Sequence, residues 1–457
     1  MEKFDRQIRL WGSKGQLLLE SSNICIITNN TQTICVQEYL KNLLQLGINN
    51  IDLIKVNNTN TADDDIKIGF FDYHYENNKN NGNGNSVNEL LVDNINELNL
   101  ENYNVIILID LIEIKTLNFF NNIKLNQPIL SCYSKGLYGY LHLKVNEPHF
   151  IINKNLEFMK YDLKLYDENW LELKNYMDSI DLNIIELSQL PYVIILYKAL
   201  YDLSNSKKIE LNDIPLNQLK DHLSKFKPIS KIVSNTDMNY LEAKRFAHLA
   251  LRNKTFETHF IEQMNLIEEI NPIDLFDPIN QYGLTIQKLF YSYCISPESE
   301  HDMPLSGTLP DMESDNRLYN DIKTIYDKRS KRDSENFNNY VKNITHEIPD
   351  DFIDDFASNI TQTDTFVSES NFTKMIELNT SYPTLILKEL IGDQYYKNAT
   401  SKVSSLKGFN LNSYPTTSII AGIVAQETIK LITHQFEPID NTIVYDGLNN
   451  NIEIYKI

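Results

Sequence analysis

The segment Asn23–Val56 sets what this chain can fold into. Ile24, Cys25, Ile26 and Ile27 form an apolar run bounded by polar residues, the pattern of a buried strand. Asn29 to Thr33 supply side chains that cap a helix. From Ile34, the apolar residues Val36, Tyr39, Leu40, Leu43 and Leu44 recur at helical spacing, and Gly47 follows as a C-cap. Ile51 to Ile54 reads as a second strand. Strand–helix–strand is the opening unit of a parallel, nucleotide-binding type of sheet. Such a turn needs glycine so that the backbone approaches phosphate, and no glycine lies between Gly15 and Gly47. The second strand runs into Lys55 where an acidic residue would hold a ribose. Two readings fit: a fold kept after its nucleotide site was lost, or an ordinary α/β unit that never had one. This stretch alone favours the second.

The flanks reverse that preference. Phe4-Asp5-Arg6-Gln7-Ile8-Arg9-Leu10-Trp11-Gly12 precedes the first strand, followed by Gly15-Gln16. Near the other end, Tyr414-Pro415 leads into Gly422-Ile423-Val424-Ala425-Gln426-Glu427-Thr428-Ile429-Lys430. Together these resemble the opening helix and the late G-x-x-A-Q-E-x-I-K helix of the ubiquitin-like-modifier activating enzymes. Four more stretches resemble the regulatory, non-catalytic subunits of the Nedd/Rub-activating group of that family. They are Ser131–Tyr140, Tyr161–Leu165, Gly307–Met312 and Asn441–Gly447. The resemblance spans nearly the whole chain and is thin at 57–100 and 345–400.

The resemblance implies an α/β fold: a Rossmann-like adenylation-type sheet domain, inactive for nucleotide, with a large inserted, mainly helical domain. The expected boundaries are 1–162 and 405–457 for the sheet domain and 163–404 for the insertion. The insertion would be the equivalent of the domain that carries the thioester cysteine in the catalytic half. The resemblance further implies an obligate heterodimer with a catalytic subunit. That partner would hold ATP, Mg and the thioester cysteine, and this chain would hold no cofactor or metal. The other expected partners are the Nedd/Rub modifier and the conjugating enzyme. Arg6 and Arg9 are three apart and can point the same way. By resemblance, Arg6, helped by Arg9, would reach across the dimer to ATP phosphates on the partner. A guanidinium suits that role because it is a planar, always-charged donor fork. The alternatives are an autonomous nucleotide-dependent enzyme with a degenerate glycine loop, or the small subunit of the sumoylation-activating enzyme. The long helical insertion argues against the latter.

Composition excludes other classes. The 457 residues carry 62 acidic against 42 basic side chains, a net charge of −20, and no basic face suited to nucleic acid. No apolar run reaches membrane-spanning length, and no signal-peptide core follows the charged N-terminus. Cys25, Cys35, Cys132 and Cys294 are scattered without a C-x-x-C pair, which disfavours zinc and fits a reducing compartment, cytoplasmic or nuclear. Cys294, the one cysteine of the insertion, has Glu298, Glu300 and Asp302 nearby, a poor setting for a thiolate.

Val105–Ile109 reads as a central parallel strand, with Asp110 at its ligand-side end. Active relatives use an Asp near here for Mg-ATP, a role not carried over because the glycine turn is missing. Asp63-Asp64-Asp65 and the Asn/Gly-rich run to Asn85 read as solvated loop. Pro128–Tyr133 and Tyr138–Leu143 read as strands, the second antiparallel. In the insertion, helices are expected at 187–203, 240–251, 282–293 and 317–331, and the acidic run 346–355 reads as a solvated face. The closing helix is expected to turn Ile419, Ile420, Ile423, Val424, Thr428, Ile429 and Leu431 inward, with Gly422 admitting another element. Thr442–Tyr445 and Ile452–Tyr455 read as a hairpin whose alternation leaves one face open or covered by a partner.

Overall fold

A computed structural model describes residues 4–56, 86–152, 163–225, 238–296, 305–360, 363–368 and 413–456, apart from scattered positions within 94–124 and 183–188 and at 253, 306 and 308. Asp63–Asp65, the Asn/Gly-rich run, Tyr161-Asp162, Glu298, Glu300 and Asp302 lie outside the described residues. The chain forms two compact units: Met1–Asn153 with Ile273–Gln281 and Thr365–Ile457, and Lys154–Pro272 with Tyr282–Asp364.

The first unit opens with helix α1 (Asp5–Ser21), strand β1 (Asn23–Thr28), helix α2 (Ile34–Leu46) and strand β2 (Asn50–Val56). Thr33 caps α2, and Gly47 ends it in the left-handed conformation at φ 91°. Strands β3 (Ser86–Val92), β4 (Val105–Ile109), β5 (Ile129–Lys135), β6 (Tyr138–Lys144) and β7 (His149–Ile152) follow. After β8 (Thr363–Phe366) come the closing helix Tyr414–Thr433 and strands β9 (Thr442–Asp446) and β10 (Asn451–Tyr455). The main sheet runs β10-β9-β6-β5-β4-β1-β2-β3. Strands β1 to β5 are mutually parallel, while β6, β9 and β10 pair antiparallel, β6 with β5 as its sequence led us to expect.

Strand periodicity divides the core. Ile24, Ile26, Ile107 and Leu130 face one side, with residues of α1, α2 and the closing helix. Cys25, Ile27, Ile106, Leu108 and Tyr140 face the other. Both faces are covered, which is why β1 and β4 read as unbroken apolar runs. Gly139 of β6 lets the closing helix cross closely: a Cβ there would stand 2.5 Å from Ile420 Cγ1.

Two expectations for this region need correction. Ile420, Val424, Thr428 and Leu431 of the closing helix are buried, but Ile419 is exposed, and a Cβ added at Gly422 would meet no described residue within 4 Å. Both lie on the helix flank turned away from the sheet. In the hairpin, β9 sits between β6 and β10 and is buried throughout. Only the edge strand β10 is open, with Ile452 and Ile454 both exposed.

The short segment Ile273–Gln281 is tied into the sheet unit by polar bonds. Asn280 Oδ1 accepts from Phe150 N at 2.8 Å, and Glu147 accepts from Phe276 N at 3.0 Å. His434 faces Asp277 Oδ2 through Nε2 at 3.2 Å and the Phe150 carbonyl through Nδ1 at 2.9 Å. Both ring nitrogens therefore stand beside oxygen acceptors. Burial raises the Asp277 pKa, but the His434 charge and the Ile279 N–H outweigh it and hold this carboxyl below the usual range. A carboxyl whose folded pKa lies below its unfolded value stabilises the fold above the unfolded pKa, and that stability is lost as pH falls. Asp277→Asn is therefore expected to cost stability above about pH 4, the difference from the parent closing at lower pH. Urea unfolding of both proteins from neutral to acid pH checks this.

The second unit is helical, with Leu171–Ser179, Tyr192–Lys207, Leu216–Lys225, Met238–Arg245, Lys254–Ile267, Asn316–Ile344 and Asp350–Asn359. The Tyr192 helix starts after Pro191, as expected, and packs Tyr192, Ile194, Leu196 and Leu200 in its core. The helix expected at 317–331 runs on to Ile344, because Phe337 and Val341 carry its buried stripe through an Asn-rich sequence. Asp315 caps it, accepting from Arg317 N at 2.8 Å. Within the Gly307–Met312 stretch, Gly307 has φ 77°, and a Cβ there would lie 2.8 Å from Ser330.

Candidate functional site

In the main sheet, the chain goes from β1 outward to β2 and β3, then returns to lay β4 on the other side of β1. The carboxyl ends of β1 and β4 therefore flank a topological switch point, where open α/β sheets take ligands. The turn Thr28–Thr33 lines this crevice, and its own side chains fill the role glycine would leave to phosphate. Thr28 Oγ1 accepts from Asn30 N at 3.2 Å. Asn30 Oδ1 accepts from Gln32 N at 2.9 Å, and Thr33 Oγ1 accepts from Val36 N at 3.4 Å. The donors of Asn30, Gln32 and Val36, which a phosphate cradle would present, are thus satisfied internally.

Across the crevice, Asp110 ends β4 at φ 58°, a left-handed position that Asp tolerates better than most residues. Its N–H donates to the Cys132 carbonyl at 3.1 Å. Burial pushes its carboxyl up to about 6, with a Thr33 hydrogen bond acting the other way. Beneath lie Cys35 and Cys132, both buried. The Cys35 thiol is pushed up by its hydrogen bond to Cys132 and by burial, and burial also pushes up Cys25. Both shifts favour the protonated, unreactive thiol at Cys35 and Cys25. Cys294 is half-buried at the end of the helix Pro278–Cys294.

The opening motif works as an anchor for α1. Trp11 is buried, and its indole N–H donates to Gln16 Oε1 at 3.0 Å. Gln16 Nε2 donates to the Leu46 carbonyl at 3.0 Å, and Gln435 Nε2 donates to the Trp11 carbonyl at 2.8 Å. Gly15 leaves room for Trp11, and Gly12 kinks the helix at φ 76°, ψ 169°, a conformation essentially reserved for glycine. Phe4 and Ile8 are only half-buried, so Trp11 carries most of the expected apolar face.

Arg6 and Arg9 are both exposed near the start of α1. Arg9 pairs with Asp5 at 3.0 Å, whereas Arg6 has no hydrogen-bond or ion-pair partner among the described residues. Neither bonds to the Thr28–Thr33 turn. Sequence reasoning missed the closed turn itself. Its signal was present in Asn30 and Thr33, residue types that bond to nearby backbone in turns and caps.

Fold and turn define a class: a Rossmann-like α/β domain whose ligand-side turn is closed by its own side chains. No family model matches the chain. Curated relatives match it from end to end. A NEDD8-activating enzyme E1 regulatory subunit of Saccharomyces cerevisiae is 27% identical over 480 residues, covering 100% of both chains. The Arabidopsis thaliana regulatory subunit AXR1 is 23% identical, covering 100% of this chain and 96% of its own. The Danio rerio regulatory subunit is 22% identical, covering 100% and 98%. Over its whole length the chain is similar to E1 regulatory subunits of the NEDD8-activating enzyme.

Proposed function

We propose that this chain is the regulatory half of a heterodimeric enzyme that activates the NEDD8-type ubiquitin-like modifier. The catalytic half holds ATP and Mg, adenylates the modifier's C-terminus and takes it onto its own cysteine. The observation that carries this reading is the Thr28–Thr33 turn, whose donors are bonded within the turn. The names of the full-length relatives support it and lend nothing to an autonomous nucleotide enzyme. This chain brings Arg6, assisted by Arg9, to the partner's ATP phosphates, and its helical insertion corresponds to the partner's cysteine-bearing domain without the nucleophile. The exposed Ile452 and Ile454 of the edge strand suit a docking surface.

The conjugating enzyme is a further partner of the assembled pair. Among the described residues no helix is long and apolar enough to cross a membrane, and the described cysteines form no disulfide. These features support a cytoplasmic or nuclear site of action. Gel filtration of the chain mixed with the catalytic subunit, followed by a thioester assay with modifier and ATP, tests the reading. Co-elution and a thioester on the partner only in the mixture are expected. Full thioester formation by the partner alone contradicts it.

A further inference from the structure

A cavity of about 250 Å³ opens in the sheet unit at the edge opposite the nucleotide-type crevice, at the amino ends of β1, β4 and β5. Its walls include Leu18 and Leu431, and its polar groups include Gln127, Glu147, His149, Asp277 and His434. Two of these are nearly sealed from solvent yet hold an atom without a hydrogen-bond partner among the described residues. Gln127 is 2% exposed, and its Nε2 donates to the Glu101 carbonyl at 2.9 Å, which fixes the amide and leaves Oε1 unbonded. His149 is 4% exposed and stacks on His434 at 4.3 Å between ring centroids, with its Nε2 unbonded.

Burial, then the His434 charge, push the His149 pKa well down, so the ring is neutral. The Lys430 carbonyl takes its one N–H, which leaves a lone pair at Nε2. Both orphan atoms are therefore acceptors, and an occupant must donate N–H or O–H to them.

Charge narrows the occupant. Asp277 faces His434, but Glu147 has no cation beside it among the described residues. Burial and the Asp277 charge both push its pKa up. Glu147 thus offers the cavity a half-buried carboxylate that has only backbone donors as partners among the described residues. Among the described residues no group of three ligating side chains is placed to hold a metal ion. We propose that this cavity binds a small organic monocation with several N–H donors, of the amidinium or guanidinium class. Its N–H groups donate to Gln127 Oε1 and His149 Nε2, and Glu147 balances its charge. A planar donor fork of this kind meets divergent acceptors better than a point charge does.

Titrating the full chain with benzamidine by calorimetry tests this. One-site saturable binding is expected, with the neutral isostere benzamide at least about tenfold weaker. Glu147→Gln, which keeps an acceptor for Phe276 N, is expected to weaken benzamidine about tenfold with an unchanged melting curve, and Gln127→Leu to weaken it about tenfold with a small loss of stability from the bond to Glu101. A blocked arginine, acetylated and amidated, is expected not to bind. Comparable binding of the blocked arginine assigns the site to a basic side chain of another protein and overturns the small-ligand proposal. Absence of benzamidine binding by the folded chain, equal binding of benzamide, or parental affinity in both variants also overturns it.

Discussion

Arg6→Ala is expected to lower ATP–pyrophosphate exchange by the mixed subunits about a hundredfold or more, with the dimer intact. The case rests on where the side chain stands. Arg6 is exposed in the first turn of α1 and has no partner among the described residues. A cation there opposes the helix dipole, so its charge brings no local stability. The body of the helix is pinned elsewhere, through Trp11, Gln16 and Gln435, so removing Arg6 leaves its platform standing. Arg9 differs. It is held by Asp5 in an exposed i, i+4 pair, and Arg9→Ala is expected to change exchange only a few-fold. Exchange rates with each variant, beside gel filtration of the same mixtures, separate lost chemistry from lost assembly.

The second large effect concerns stability. Glu427, in the late G-x-x-A-Q-E motif, is 2% exposed. One of its oxygens meets Lys430 Nζ at 2.7 Å, and the other accepts from Ile439 N at 3.0 Å. It therefore fastens the closing helix to the loop that leads into β9. Glu427→Ala leaves a buried N–H without an acceptor and a half-buried ammonium without its counter-charge, and is expected to cost about 3–5 kcal/mol. Glu427→Gln keeps an acceptor for Ile439 and is expected to cost clearly less. Chemical denaturation of the three proteins at neutral pH measures the order. Gln426, its neighbour, is exposed, so the adjacent polar residues of the motif have separate roles.

Much of the sheet was legible because its signals are local. Buried parallel strands write themselves as apolar runs, and Thr33 and Gly47 mark the ends of α2 by chemistry any sequence reader can use. The left-handed Asp110 and the buried Glu427 were not legible, because each depends on a partner distant in sequence, whereas the closed Thr28–Thr33 turn left a local signal in Asn30 and Thr33 that was overlooked. Asp110 meets Thr33, and Glu427 meets a residue beyond the end of its helix. The exposed flank at Ile419 and Gly422 escaped for a related reason. The closing helix is apolar nearly all round, so periodicity does not reveal which side meets the sheet. The glycines of the motif stretches took their meaning only from neighbours: Gly139 from Ile420, Gly307 from Ser330, and Gly15 from Trp11.

On the proposed reading, this chain activates nothing alone and completes an active site held by another subunit. ATP–pyrophosphate exchange with the modifier tests it most directly, using this chain alone, the catalytic partner alone, and both together. Exchange that appears fully only in the mixture is the expected result. Exchange by this chain alone would mean that the closed Thr28–Thr33 turn opens to nucleotide, and would contradict the account.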